Sequence, residues 1–546
     1  MKSSRMARWG VFAFLLAMGC AACGGSSSSG GSSGGAGTSA TFKPGPCPAD
    51  QADELAKLNA SCGTLTAPQN RSNPKEGQVQ LPVAIIPSQA QPAQPDPIVY
   101  MAGGPGQNAL SQAEILASLG LNKNRDVIIM NQRGVVDTVP LLTCPEIDQF
   151  YAEAVGMPYD SPATGIAHVA AVKACHDRLI AQGIDLANFN TTENEADFAD
   201  LRKALHIKEW NIYGLSYGTD LALFEMRDYP QGIRSVIIDA IVPPSTASLG
   251  WTWTNYNEAI NNIFRACANQ PACASTYGDL SQVVASQVQQ LEANPATLTV
   301  HEDFGDVDVV IDGGALINWL GSFPDPAVEI PDIPLAIKQL VDGTPTEIAQ
   351  SRAFAANPAG FGAVGYGLMY GVICSEWVPF EPQSQILTQG LLAFPTYPQS
   401  VLSLAPGLPF MNEDCGIWNV PAASGSVRQV TVSSIPTLVM ASSFDGKTAP
   451  QWATYVAGTL QNSITTVFPG LGHGALFAVG LPDDSPAKPC AQSVVASFFA
   501  NPAAPDTSCV ASLTPYPFST SATPSAPDHL ESELEQNDPG YFHEPF

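Results

Sequence analysis

Short apolar runs that alternate with helix-like stretches constrain this chain most. Pro97-Ile-Val-Tyr-Met-Ala102, Asp126-Val-Ile-Ile-Met130, Trp210-Asn-Ile-Tyr213, Ser235-Val-Ile-Ile-Asp239 and Pro436-Thr-Leu-Val-Met440 are bounded by turn residues and too short for helices, so each reads as a buried strand. Glu195 to Leu205 and Asp220 to Tyr229 read as helices between them. Strands without an exposed face, alternating with helices, predict a mainly parallel central sheet flanked by helices on both sides. From about Trp251 to Val430 that rhythm breaks into mixed, helix-leaning sequence with Pro-rich joints, expected as a largely helical insertion above the sheet. The uncharged stretch Ala353 to Ser375 resembles a membrane span in hydropathy, but its glycines, Asn357 and Pro358 predict a buried Gly-rich segment instead.

The composition suits a large globular unit: 546 residues, 45% hydrophobic and 13% charged. A net charge of -27 repels phosphate backbones and anionic headgroups, which argues against nucleic acid as a partner. The oligomeric state is not legible.

The N-terminus reads Met-Lys-Ser-Ser-Arg-Met-Ala-Arg, then an apolar run from Trp9 to Gly19 that stops at Cys20. Basic start, short apolar region and small residues before a cysteine are the features of a bacterial lipoprotein leader, so residues 1–19 are expected to be removed and Cys20 lipidated. Cys23, also preceded by Ala-Ala, is the rival site. Gly, Ser and Ala then make residues 20–40 a flexible tether. This predicts an exported, lipid-anchored protein of the bacterial cell envelope. The remaining cysteines fall into neighbouring pairs, Cys47 with Cys62, Cys144 with Cys175, Cys267 with Cys273, Cys374 with Cys415 and Cys490 with Cys509, which in an exported chain suggests disulfides. A zinc site is the alternative; these cysteines lack Cys-x-x-Cys spacing and the histidines are scattered, so no metal is expected.

Gly214-Leu-Ser-Tyr-Gly218 fits Gly-x-Ser-x-Gly, in which glycines permit a sharp strand-to-helix turn that presents a serine hydroxyl. The pattern alone is weak, since the Gly/Ser tether also contains it at Ser32 and Ser33. Only Ser216 follows a strand candidate and precedes a helix candidate. An acyl-transfer serine needs a base, an orienting carboxylate and donors for the oxyanion. Asp445 follows the strand ending at Met440, and His473 lies in the Gly-rich loop Pro469-Gly-Leu-Gly-His-Gly474, giving the order Ser, Asp, His of α/β-hydrolases. Ala102-Gly-Gly-Pro-Gly106 offers the N–H of Gly103 or Gly104 to join that of Tyr217 as the oxyanion hole. Taken singly, an Asp-x-x-Thr is an ordinary helix cap and a Gly-His-Gly an ordinary loop; their order and shared position after strands favour a catalytic site.

Over most of Ala67 to Cys490 the chain resembles α/β-hydrolase serine exopeptidases of the proline iminopeptidase and tripeptidyl aminopeptidase type. The marks are Gly103-Gly-Pro-Gly106, Asn131-Gln-Arg-Gly134, Thr191-Thr-Glu-Asn-Glu-Ala196 with Asp200-Leu-Arg202, Trp210 to Thr219, Cys374-x-Glu376, Asp445-x-x-Thr-x-Pro450 and Gly472-His473. The resemblance implies an α/β-hydrolase fold with a cap, and makes Ser216 the nucleophile, His473 the general base then acid, and Asp445 the orienting carboxylate. Ala102 stands where many relatives have His, and Asn131 where many have Asp. Family members of this type act at a free amino terminus, which implies carboxylates for the ammonium group; Glu376 is the candidate, with a structural salt-bridged role as its alternative.

The expected organisation is a leader (1–19), tether (20–40), first part of the core (41–250), cap (251–430), second part of the core (431–500) and C-terminal tail (501–546). The leading reading is a serine aminopeptidase that works through an acyl-enzyme on a peptide, amide or ester substrate without a cofactor. An esterase, lipase or amide hydrolase on the same fold is the first alternative, and a non-catalytic envelope-binding lipoprotein the second.

Overall fold

A computed structural model describes residues 40–246, 249–322, 329–478, 481–482 and 484–521. The leader, Cys20, Cys23, the tether up to residue 39 and the tail beyond residue 521 lie outside the described residues. In chain order the strands are β1 (Thr41–Gly45), β2 (Ser61–Pro68), β3 (Gln78–Ile86), β4 (Ile98–Met101), β5 (Val127–Met130), β6 (Trp210–Leu215), β7 (Ile233–Asp239), β8 (Ala296–Glu302), β9 (Gly305–Ile311), β10 (Thr437–Ser442) and β11 (Ser463–Phe468). Nine of them form one sheet in the order β1-β2-β3-β5-β4-β6-β7-β10-β11. β1 to β3 join antiparallel, as does β3 to β5; every pair from β5 to β11 along the sheet is parallel.

The apolar runs are continuous because both faces are covered. Val99, Met101, Ile128, Ile212 and Val439 enter one core with Phe198, Leu201 and Leu221 from the flanking helices. Tyr100, Ile129, Tyr213 and Met440 enter the other, which continues into the insertion through residues such as Trp253, Leu316 and Tyr370. One residue in two serves each side, as a pleated strand requires.

Between β7 and β10 the insertion is largely helical, including Trp251–Asn269, Leu280–Ala293, Gly313–Gly321, Ile333–Val341 and Met411–Trp418. It also carries the β8–β9 hairpin, which the helix-leaning sequence did not announce. The uncharged stretch is split among Thr346–Phe354, Tyr366–Val372 and a π-helical turn over Ile373–Trp377, and among the described residues no helix is long and apolar enough to cross a membrane. The ten cysteines from Cys47 onward form disulfides with their sequence neighbours: Cys47–Cys62, Cys144–Cys175, Cys267–Cys273, Cys374–Cys415 and Cys490–Cys509. The start of the expected tail is held to the body. Phe518 is buried and stacks on Phe444, its N–H donates to Gln270 Oε1 over 2.8 Å, and Ser519 N–H donates to Pro331 O over 3.0 Å.

Candidate active site

β6 runs directly into Ser216, the residue that caps the helix Tyr217–Asp228, with φ 54° and ψ -125°. A non-glycine residue at positive φ is strained, and such strain persists only where neighbours fix it. Here they do. Ser216 N–H donates to Asp239 O over 3.0 Å. A Cβ at Gly214 would stand 2.5 Å from Gly218 O, and one at Gly218 only 2.0 Å from Met101 O. Both glycines of the motif are therefore demanded by close backbone approach: the turn folds on itself and presses against the end of β4.

Asp445 follows β10 and is fully buried; His473 follows β11 and is 5% exposed. His473 Nδ1 lies 2.9 Å from Asp445 Oδ2. Because an ionised carboxylate only accepts, Nδ1 carries the proton and leaves Nε2 with a lone pair for a second partner. Asp445 is itself fixed by Thr448, whose N–H donates to Oδ1 at 2.8 Å and whose hydroxyl donates to Oδ2 at 2.6 Å. The Thr448 bonds close a turn within the loop rather than cap a helix, since the helix Pro450–Ala457 has Ala449 at its N-cap and no side-chain cap.

The strand between these elements supplies an anchor that the sequence reading passed over. Asp239 ends β7, and its carboxylate accepts Ala475 N–H at 2.8 Å, Leu476 N–H at 2.9 Å and the Tyr213 hydroxyl at 2.8 Å. It holds the loop of His473 to the strand beside Ser216. Register confirms the alignment: Asp239 pairs with Leu215 on one side and Met440 on the other, and Ser442 pairs with Phe468. Ser216, Asp445 and His473 all emerge at the carboxyl ends of neighbouring parallel strands, where α/β sheets place their sites.

Tyr217 is the first residue of its helix, so its N–H has no acceptor within that helix, and the helix N-terminus favours negative charge. Gly103 lies against Ser216: a Cβ there would come within 3.0 Å of Ser216 Cβ. Gly104 adopts φ +97°, a value that suits glycine. Behind these groups runs a hydrogen-bond network. Gln132 Nε2 donates to Ala102 O at 2.9 Å, and Asn194 Nδ2 donates to Gln132 Oε1 at 3.0 Å. The Tyr217 hydroxyl bonds Asn194 and lies 3.0 Å from Thr191 Oγ1. Thr191 N–H donates to Glu376 Oε1 over 2.8 Å.

Glu376 is therefore 3% exposed and engaged at the N-terminus of the helix Thr191–Ala204, one residue removed from Tyr217 in the network. Burial pushes its carboxyl up to about 7, against the pull of the Thr191 donors and of Arg227 and Arg428. Asp220, also buried, is held well above the usual carboxylate range by burial and by the Glu376 charge.

The departures from the family pattern have local accounts. Asn131 Oδ1 accepts Leu110 N–H at 3.1 Å while its Nδ2 donates to Val136 O at 2.9 Å, a donor that an Asp would lack. Ala102 is buried, with its carbonyl taken by Gln132. Arg133 forks onto Asp197 with bonds of 2.8 and 2.9 Å, tying the loop after β5 to the helix that begins at Thr191. Among the described residues no group of three or more His, Cys, Asp or Glu is arranged to hold a metal ion.

Residues 96–283 match the family described as alpha/beta hydrolase fold, and residues 407–510 the family described as TAP-like protein. The chain has the α/β-hydrolase fold. The chain is 25% identical over 242 residues to the serine protease Hip1 of Mycobacterium tuberculosis, covering 42% of this chain and 45% of that protein. It is 22% identical over 296 residues to the putative hydrolase YuaR of Escherichia coli, covering 49% and 55%. It is 26% identical over 212 residues to the tripeptidyl aminopeptidase of Streptomyces coelicolor, covering 36% and 38%. The matches span about half the length of these relatives or less, and the relation is distant.

Proposed function

We propose that this α/β-hydrolase is an exported serine aminopeptidase that releases single residues or short peptides from free amino termini. The observation that carries the reading is the 2.9 Å bond from His473 to Asp445 at the same sheet edge as the strained Ser216. In this scheme Ser216 Oγ attacks the scissile carbonyl while His473 Nε2 takes its proton, and Asp445 holds the imidazole and stabilises the imidazolium. The N–H groups of Tyr217 and of Gly103 or Gly104 stabilise the oxyanion. His473 then protonates the leaving amine, and water hydrolyses the acyl-enzyme by the same route. No cofactor is needed.

Exopeptidase rather than endopeptidase action is supported by similarity to a protein named tripeptidyl aminopeptidase and by the TAP-like match. A large insertion between β7 and β10 also disfavours access by the middle of a long chain. The disulfides support an oxidising, extracytoplasmic location. Lipidation at Cys20 is part of the same proposal and rests on the leader sequence.

Chromogenic anilides of one to three residues, each with a free and an acetylated amino terminus, test the reading directly. Cleavage confined to free-amine substrates is expected, and the productive length gives the residues released. Equal cleavage of acetylated peptides or simple esters would replace the peptidase by an esterase.

A further inference from the structure

We propose that Glu376 is a positioning residue which, through Thr191, sets the orientation of Tyr217 and thereby of the oxyanion donors. This rests on the serine-hydrolase reading and gives Glu376 a task other than binding the substrate ammonium. Four observations carry it. Glu376 is buried within the insertion and takes hydrogen bonds from both the backbone and the side chain of Thr191. Thr191 Oγ1 lies 3.0 Å from the Tyr217 hydroxyl. Tyr217 follows Ser216 directly and bonds Asn194. Asn194 reaches the second donor arm, since it holds Gln132, which in turn holds Ala102 O immediately before Gly103.

The chain of bonds has a direction only if its end is an acceptor. An ionised carboxylate accepts and never donates, so the Thr191 hydroxyl must point its hydrogen at Glu376 and offer a lone pair to Tyr217. The Tyr217 hydroxyl then donates to Thr191 and accepts from the Asn194 amide, whose other hydrogen serves Gln132 Oε1. Gln132 Nε2 is left to hold Ala102 O. Both arms of the oxyanion cradle thus hang on one carboxylate. An amide of equal size at position 376 places a donor against Thr191, which turns the Thr191 hydroxyl toward Tyr217 and reverses the sequence. Asp220 stands close to Glu376, and burial, followed by the Glu376 charge, raises its carboxyl well above the usual range.

The test compares Glu376→Gln, Glu376→Asp, Thr191→Val, Tyr217→Phe and Ser216→Ala at pH 8, above the value of about 7 to which Glu376 is pushed. Two readouts are used: kcat and KM on a free-amine peptide anilide and on a small neutral ester, and the rate at which a fluorophosphonate labels Ser216. The expected result is a loss of roughly 10- to 100-fold in kcat and in labelling rate for Glu376→Gln, Thr191→Val and Tyr217→Phe, with KM within about threefold, as for detuned oxyanion donors. Glu376→Asp keeps the acceptor and should lie nearer the native rate than Glu376→Gln. The double variant Glu376→Gln/Thr191→Val should be no slower than the worse single one, because both break the same chain. Tyr217→Phe removes one hydroxyl and covers the case in which Glu376→Gln does not fold. Native kcat and labelling in Glu376→Gln and Tyr217→Phe would overturn the proposal. A rise in KM limited to free-amine substrates would also overturn it and make Glu376 an ammonium ligand. If the native chain cuts only esters, the aminopeptidase reading fails while labelling still decides the role of Glu376.

Discussion

Ser216 sits at φ 54° because Gly214, Gly218 and Asp239 O hold its backbone in the tight strand-to-helix turn at the carboxyl end of β6. Replacement of Ser216 by Ala is expected to lower kcat by roughly four to six orders of magnitude, as when a triad nucleophile is removed. Asp239 provides a sharper test of how the histidine loop is placed. Its two oxygens accept three donors, so Asp239→Asn sets an amide N–H against one of them. A stability loss of about 1–3 kcal/mol is expected from one unsatisfied buried group. Displacement of the His473 loop should lower kcat by about 10- to 100-fold with KM little changed. Steady-state kinetics beside thermal unfolding would separate the two effects, and native kcat in a destabilised Asp239→Asn would refute the anchoring role. Ser216 and Asp445 were legible because each follows a readable strand and stands in a motif with turn residues, and His473 because it stands in a Gly-rich loop after Asp445 in the order Ser, Asp, His. Asp239, Gln132 and Asn194 were not, because their partners are backbone groups and side chains far away in sequence, and spacing carries no trace of such contacts.

At the level of elements, the helix after Ser216 meets the end of β4 with no room for a side chain at Gly218. Gly218→Ala should cost roughly 3 kcal/mol or more by overpacking and abolish activity, measurable by denaturant unfolding. The Cys374–Cys415 bond closes a loop of 41 residues inside the insertion and lies two residues from Glu376. Its removal by paired Ser substitutions should destabilise the protein by about 4 kcal/mol on the chain-entropy account. A fall in Tm of the intact protein checks this, and an unchanged Tm would contradict it. The central strands were readable from sequence because burial on both faces makes each an unbroken apolar run. The outer strands were not. β3 contains Pro82, which argues against a strand, and β11 mixes Ile464, Val467 and Phe468 with Ser463, Thr465 and Thr466 without clear alternation and exposes Val467 at the sheet edge. The β8–β9 hairpin does carry strand alternation, Leu298 and Val300 in one arm and Val307 and Val309 in the other, but it stands between helices in a helix-leaning stretch and was passed over there.

Over the whole molecule, burial raises several acids at once: Asp148 to about 6, Asp160 and Glu376 to about 7, Glu225 to about 8 and Glu195 to about 10. The folded chain therefore holds protons that the unfolded chain releases above pH ~4 to 5. Stability from these groups is fully present below that range and falls as pH rises through their raised values, the last of them at about 10. The net charge of -27 adds self-repulsion in the same direction. A higher Tm at pH 5 than at pH 8 is expected by calorimetry, and a maximum above pH 7.5 would refute it. The proposed function has peptide bonds cut through an acyl-enzyme on Ser216 at a free amino terminus. Its most direct test is mass spectrometry of the enzyme quenched in acid during turnover of a free-amine tripeptide ester. The account predicts a peptidyl adduct on the fragment that carries Ser216, lost in Ser216→Ala and absent with the acetylated substrate. Turnover without an adduct, or an adduct on another residue, would contradict it.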